Sequence, residues 1–271
     1  TEPEIIFIEG GTFKLGSEEG EVNEKPVHTV ILNDFYIGKY EITNIQFCEF
    51  LNEKGNQKEN GVEWINLNGT WDAPSQKCNI YIDNNIFVVE ANYENYPVSF
   101  VSWFGANAYC KWLSEKTGKQ FRLPTEAEWE FVARNRGEDI KFVWGNEPPI
   151  GKLPGNFADE TLKKIYSDMR IANGYNDSYA FLAPVGIFDQ NPLGIYDLVG
   201  NVWEWCYDWF DHKYNNNDNV KNPTGPITGE MKVTRGGSWL DAPAQLRTSR
   251  RVGIEPNARS LNLGFRVAMS I

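Results

Sequence analysis

The sequence predicts a single α+β domain over residues 1–271, with few helices, short antiparallel sheets and long loops. Three observations point there. Strand patterns open the chain, three capped amphipathic helices follow in the first half, and the second half is punctuated by Gly, Pro, Asn and Trp without sustained periodicity.

Residues 5–16, Ile-Ile-Phe-Ile-Glu-Gly-Gly-Thr-Phe-Lys-Leu-Gly, read as two short strands around a Gly-Gly turn. A second strand pair is expected at 27–32 and 35–40, separated by the turn-forming Asn33-Asp34. Thr43-Asn44-Ile45-Gln46 has the form of a capping box, and its helix carries Phe47, Phe50 and Leu51 on one face and should end near Gly55. The polar, Asn-rich stretch 52–95 reads as a surface insertion with a strand at Ile86–Val89. A second helix is expected between Ser102 and Gly118, with Ala106, Tyr109, Cys110 and Leu113 inward. Thr125-Glu126-Ala127-Glu128 is another capping box; its helix should bury Trp129, Val132 and Ala133 and leave Glu130 and Arg134 as an exposed i,i+4 pair. Beyond Arg136 a loop-rich half of this length needs something else to order it, and bound ions would do so.

The bulk numbers restrict function without naming one. A chain of 271 residues can bury one large core or two modest ones, and 10 Trp imply an interior rich in rings whose polar edges need partners. The net charge of −11 argues against non-specific nucleic-acid binding. No run approaches the length that spans a bilayer. Four cysteines without CxxC spacing are too few for a disulfide scaffold, and Cys48 and Cys110 fall in helical patterns where a thiol is a small core residue. Two histidines argue against a His-based metal centre.

A series of strings runs along the whole chain: Glu24-Lys25-Pro26-Val27-His28, Lys39-Tyr40-Glu41-Ile42-Thr43-Asn44, Pro97-Val98-Ser99 with Trp103, and Arg122-Leu123-Pro124-Thr125-Glu126 through Glu130. Gly200-Asn201-Val202-Trp203-Glu204-Trp205 follows, then Arg235-Gly236-Gly237-Ser238-Trp239-Leu240-Asp241, and finally Asn262-Leu263-Gly264-Phe265-Arg266. In this order the strings resemble the formylglycine-generating enzyme (sulfatase-modifying factor) family, whose fold is related in architecture to C-type lectins. Fold membership alone does not settle function.

The resemblance implies two structural calcium sites. One would use Asn156, the carbonyl of Phe157, Asp177 and the carbonyl of Tyr179; the other Asp197, the carbonyls of Gly200 and Val202, and Glu204. Hard divalent cations take six to eight oxygens, which loops can supply. Each side-chain position keeps an oxygen donor, with a family Asn standing here as Asp197. The bland reading is that Asp and Asn are common in turns.

The resemblance also locates what is missing. Family enzymes bind copper(I) with two cysteines five residues apart and oxidise a cysteine of a sulfatase. Those positions hold Asp241 and Leu246 here, and a hard carboxylate and an alkyl chain do not replace thiolates. Copper and sulfatase activation are therefore not expected. Two family disulfides are also absent, with Val267 opposite Cys110 and the other pair mapping to Ala133 and Arg251.

Trp203, Ser238, Trp239, Arg250 and Asn262, with Asp241, match positions that line or support the family's substrate groove. Arg247, Arg250 and Arg251 would either receive an anionic ligand group or pair with local carboxylates such as Asp241 and Glu255. The preferred expectation is an exported, extracytoplasmic bacterial protein, periplasmic or at the cell surface. It would bind a peptide, glycan or protein partner through the former groove, with room for a lipid anchor upstream of residue 1. The alternatives are an enzyme of altered chemistry using Asp241 and Arg250 and, ranked last, a copper-dependent sulfatase-activating oxidase.

Overall fold

Alternating apolar residues at the start of the chain build four strands, β1 (Ile5–Ile8), β2 (Gly11–Leu15), β3 (His28–Leu32) and β4 (Phe35–Gly38). The computed structural model describes residues 1–70, 76–149, 152–212 and 219–271. These strands do not form the hairpins that their order suggests. β1 pairs with β4 and β2 with β3, so the turns at Gly10 and at Asn33-Asp34 each carry the chain from one sheet to another. The two crossings lie against each other. Gly10 donates its N–H to Asp34 Oδ1 at 2.8 Å, and a Cβ at Gly10 would stand 2.2 Å from the Leu32 carbonyl oxygen. Glycine is the residue that fits there.

Three hydroxyl side chains start the main helices, α1 (Asn44–Lys54), α2 (Trp103–Thr117) and α3 (Glu126–Ala133), whose N-caps are Thr43, Ser102 and Thr125. Thr43 and Thr125 close full capping boxes with Gln46 and Glu128. Gly118, left-handed at φ 72°, ends α2. Between α1 and α2 lie β5 (Lys58–Glu59), β6 (Val62–Glu63), β7 (Ile80–Asp83) and β8 (Ile86–Val89). Residues 71–75 of the predicted insertion fall outside the described residues. The rest is not all surface: Ile65 and Ile80 are buried in the main core, and Trp64 stacks on Phe50 with ring centroids 4.9 Å apart. Asn52, from α1, closes the outer edge of β8 by donating to the Phe87 carbonyl and accepting its N–H.

The remaining elements are β9 (Phe121–Arg122), the single turn α4 (Glu160–Lys163), β10 (Trp203–Trp209), β11 (Val220–Lys221), β12 (Lys232–Arg235), β13 (Val252–Ile254), β14 (Leu263–Gly264) and β15 (Ala268–Ser270). One four-stranded sheet has the order β1-β4-β15-β9 and another β13-β12-β10-β14, while β11 extends the β3-β2 pair. β10 is thus an inner strand, antiparallel to β12 and parallel to β14. Among the described residues, no helix is long and apolar enough to cross a membrane.

The polar face of α3 departs from expectation. Glu130 and Arg134 do pair, with Nε and Oε1 3.0 Å apart, but both are buried. Glu130 also binds the Arg235 guanidinium and accepts the Gly16 N–H at 2.8 Å. The polar side of this helix faces another part of the protein, and charge pairing replaces solvent. At the start of α3, buried Asp208 accepts the Glu126 N–H at 2.8 Å. Burial, and then the charge of Glu126, push the Asp208 carboxyl up to about 7.

Glu130→Ala removes the buried carboxylate that Arg134 and Arg235 share, leaving Arg235 the more distant Glu126 at 3.8 Å. It should lower stability in a urea titration by about 3–5 kcal/mol, whereas removing the exposed Lys54–Glu115 pair should leave the midpoint essentially unchanged. Asp208 is protonated in both states below its unfolded value. As pH rises toward 7 the folded form still holds a proton that the unfolded chain has lost, so its contribution to stability falls. Asp208→Asn keeps an acceptor for the Glu126 N–H, and unfolding titrations from pH 4 to 8 should show a flatter decline than in the parent protein.

Candidate functional site

Three loops that lack regular structure converge in front of β10. Asn156 and Gly200 form a parallel bridge, the Asn201 N–H meets the Asn156 carbonyl at 2.7 Å, and the Ala158 N–H meets the Asp241 carbonyl at 3.1 Å. Gly200 and Asn201 are both left-handed, at φ 78° and 56°. A Cβ on Gly200 would lie 1.8 Å from the Asn156 carbonyl oxygen, so the approach of the two loops requires glycine.

The first predicted ion site contains a buried oxygen with nothing to bind. Asn156 donates to the Phe181 carbonyl at 2.6 Å and to Asn201 Oδ1 at 3.2 Å, while its own Oδ1 has no partner. Asp177 accepts the N–H groups of Tyr179 and Phe157, at 2.8 and 3.2 Å. Burial, against those bonds, raises its carboxyl to about 7. At the second site Asp197 Oδ2 accepts the Gly186 N–H at 2.7 Å, and its Oδ1, in a side chain 2% exposed, is unpartnered. Glu204 is gripped by Arg266 through two 2.7 Å bonds and by Trp129 Nε1 at 3.0 Å. Among the described residues, no three His, Cys, Asp or Glu side chains are grouped as a metal cluster by themselves. An ion here would have to draw on backbone carbonyls as well. Buried, unpaired oxygens of Asn156 and Asp197 are what such mixed sites offer to a hard cation.

The predicted groove residues separate into support and rim. Trp239 and Ser238 are fully buried, Trp239 packing edge-on against Phe181 at 5.2 Å, and Trp203 is nearly so. Asp241, Arg250 and Asn262 are only partly covered. Asp241 Oδ2 accepts three bonds, from Trp203 Nε1 at 2.9 Å, from the Ser238 N–H at 2.9 Å and from Ser238 Oγ at 2.6 Å. Asn262 Nδ2 reaches Ser238 Oγ from the other side at 3.3 Å. Burial raises the Asp241 carboxyl, and the Ser238 and Trp203 bonds oppose that rise. Leu246 is 2% exposed and packs with Phe157, Tyr175 and Val199. The two positions five apart have become a turn clasp and a core side chain.

The arginines of the C-terminal loop are all paired, but not with Asp241 or Glu255. Arg247 binds Glu24, Arg250 binds Glu21 and Arg251 makes a two-bond pair with Glu126 at 2.7 Å. Glu24, although burial pushes it up, is held below the usual range by Arg247 and Ser249. The partners come from the start of the chain and from α3, which sequence proximity does not suggest. The four cysteines are free and buried, and burial raises each thiol, Cys48 to about 11 and Cys78 to about 12.

Glu41 and Asn201 carry more of this region than the sequence assigned to them. Asn201 donates to Glu41 Oε2 at 2.7 Å and accepts both Asn156 Nδ2 and the Ala183 N–H, so it bridges the two predicted sites. Both residues stand in the quoted strings. The available signal was a carboxylate directly before a buried isoleucine, with no local partner to satisfy it.

Comparisons with known proteins bear on the family and the fold. The sulfatase-modifying factor enzyme 1-like domain matches residues 1–271. The chain is 32% identical to the serine/threonine-protein kinase pkn1 of Chlamydia pneumoniae, over 99% of this chain but 38% of that protein, so it spans well under half the length of the first relatives it matches. It is 31% identical to the formylglycine-generating enzyme of Thermomonospora curvata, covering 97% of this chain and 92% of the enzyme. It is 30% identical to the inactive C-alpha-formylglycine-generating enzyme 2 of Mus musculus, covering 99% and 86%. Among solved structures, PvdO from Pseudomonas aeruginosa superposes with a TM-score of 0.71 at 26% identity, covering 99% of this chain and 95% of that one.

If Asp241 works chiefly as the clasp of the Ser238 turn, Asp241→Ala should destabilise the protein by about 1–3 kcal/mol, because three donors lose their acceptor. Asp241→Asn, which keeps an oxygen there, should recover a large part of that loss in the same urea titration.

Proposed function

The chain belongs to the sulfatase-modifying factor family, and we propose that it is a non-oxidising member that binds a peptide, glycan or protein partner through the former substrate groove. The observation that carries this reading is the fate of the two cysteine positions. Leu246 fills an apolar cluster, and Asp241 already accepts three hydrogen bonds on one oxygen. Neither supplies the soft thiolate that copper(I) requires, and the four cysteines of the chain lie at other positions. The residues present do not fit a copper centre, so no oxidation step is assigned. The inactive mammalian relative shows that the family name extends to a protein described as lacking the activity.

Two calcium ions are proposed to brace the loops behind the groove. Support comes from the unpartnered oxygens of Asn156 and Asp197, which are buried beside carbonyl-rich turns. Bound there, calcium would supply fixed positive charge and loop rigidity. Asn156, Asp177, Asp197 and Glu204 would hold it, with the carbonyls of Phe157, Tyr179, Gly200 and Val202. Because the Ala158 N–H is bonded to the Asp241 carbonyl, the first ion loop and the groove rim would be stiffened together. An extracytoplasmic location, with a lipid anchor upstream as one means of tethering, belongs to the same reading. Extracellular calcium modules work at about 10⁻⁴–10⁻³ M.

One observation favours the second reading, an enzyme of altered chemistry. Burial raises the Asp241 carboxyl, as a proton-handling group would need. Against it, Arg250 is held by Glu21, and the hydrogen bonds to Asp241 suit a structural acceptor.

A Cys-x-Pro-x-Arg peptide, incubated with copper(I)-loaded protein under oxygen, should show no formylglycine by mass spectrometry while a control enzyme converts it. Conversion would overturn the non-oxidising reading. Calcium at a hundredfold excess over its dissociation constant should stabilise the chelator-treated protein by about 2.7 kcal/mol per site, a rise of roughly 5–10 °C in melting temperature. An identical melt with and without calcium would remove both ion sites.

A further inference from the structure

Glu41 precedes α1 in the chain, yet it meets Asn201, 160 residues later, with its side chain 1% exposed. Its Oε2 accepts Asn201 Nδ2 at 2.7 Å and its Oε1 accepts the Val202 N–H at 3.3 Å. It thus holds the peptide after two consecutive left-handed residues, Gly200 and Asn201, a backbone arrangement that persists only when its surroundings enforce it. With their N–H groups turned to Glu41 and to the neighbouring strand loops, the peptides of this turn leave the Gly200 and Val202 carbonyls available to an ion.

The charge count supports a second role. Glu41, Asp197 and Glu204 are all buried, and the buried cation among them is Arg266. Arg266 spends its donors on Glu204 and on the carbonyls of Gly38, Tyr196 and Asp197. When ionised, three carboxylates against one guanidinium would leave two negative charges, which the two positive charges of a divalent cation would balance. Uncompensated, each buried charge opposes folding. The unpartnered Oδ1 of Asp197 is an independent sign that something beyond protein belongs here.

We propose that Glu41 is a positioning residue of the second cation site, clamping the Gly200–Val202 turn from behind and supplying the third buried carboxylate that a hard divalent ion neutralises. The proposal rests on the calcium reading above and extends it to a residue outside the ligand loop. Carboxylates that orient ligands in this way typically change metal affinity by about 10–100-fold when altered.

The test uses the whole chain stripped with chelator, in parent, Glu41→Gln and Glu41→Asp forms, with calcium binding by calorimetry and melting measured with and without chelator. Glu41→Gln should weaken one of two calcium sites by about 10–100-fold, while its melting temperature in chelator stays level or rises as repulsion is relieved. Glu41→Asp, which keeps the charge, should lie nearer the parent in affinity. Unchanged affinity in Glu41→Gln would overturn the proposal. So would a variant that melts lower, or fails to fold, in chelator, since that is the mark of a purely structural hydrogen bond. A parent protein that binds no calcium would instead remove the calcium reading, and this proposal with it.

Discussion

Burial of Glu204 against Arg266 is the interaction from which the arrangement of this protein can be followed outward. The pair sits where β10 and β14 run side by side, and the same guanidinium reaches the carbonyls of Gly38, Tyr196 and Asp197. One side chain therefore joins the end of the first sheet, the ion-loop region and the central strand. A charge buried so deeply is tolerated only when every donor is used, which limits how far any of these segments can move independently. Elsewhere the pattern repeats with Glu130–Arg235, Glu126–Arg251 and Glu24–Arg247. At the position where the family resemblance implies one half of a disulfide, Arg251 instead binds Glu126 across the fold. Buried ion pairs take over part of the cross-linking here.

Local chemistry made the helices legible. Thr43, Ser102 and Thr125 marked their starts, Gly55 and Gly118 marked two of their ends, and apolar spacing chose the inward residues correctly. Strand identities were also readable, including Ile86–Val89, but their pairing was not. β1 and β2 look like a hairpin because they flank Gly-Gly, yet β1 pairs with β4 and β2 with β3 in a different sheet, a choice fixed by packing rather than by the turn. The face of α3 misled for a related reason. Glu130 and Arg134 have the spacing of an exposed pair, and nothing nearby reveals that Arg235, over 100 residues later, will cover them.

The candidate site divides along the same line. Candidate ligand positions close together in sequence, such as Asp197 and the Gly200–Trp205 string that follows it, could be carried over residue by residue. Glu41 could not, because its meaning lies in a contact made only after folding. The arginines followed suit, their acidic partners coming from Glu21, Glu24 and Glu126 rather than from the loop that contains them. That Asp241 and Leu246 stand where the family resemblance implies cysteines was visible at once. That one serves as a turn clasp and the other as an apolar plug required the side-chain environment.

The first sheet has the order β1-β4-β15-β9, which places Ala268–Ser270 between strands made far earlier in the chain. During synthesis β4 and β9 emerge long before the strand that joins them, and each waits with an open edge. Vectorial folding of this domain cannot be completed strand by strand in order of synthesis. The β1-β4 pair and β9 lock together only once Ala268–Ser270 is available, and until then their facing edges stay open.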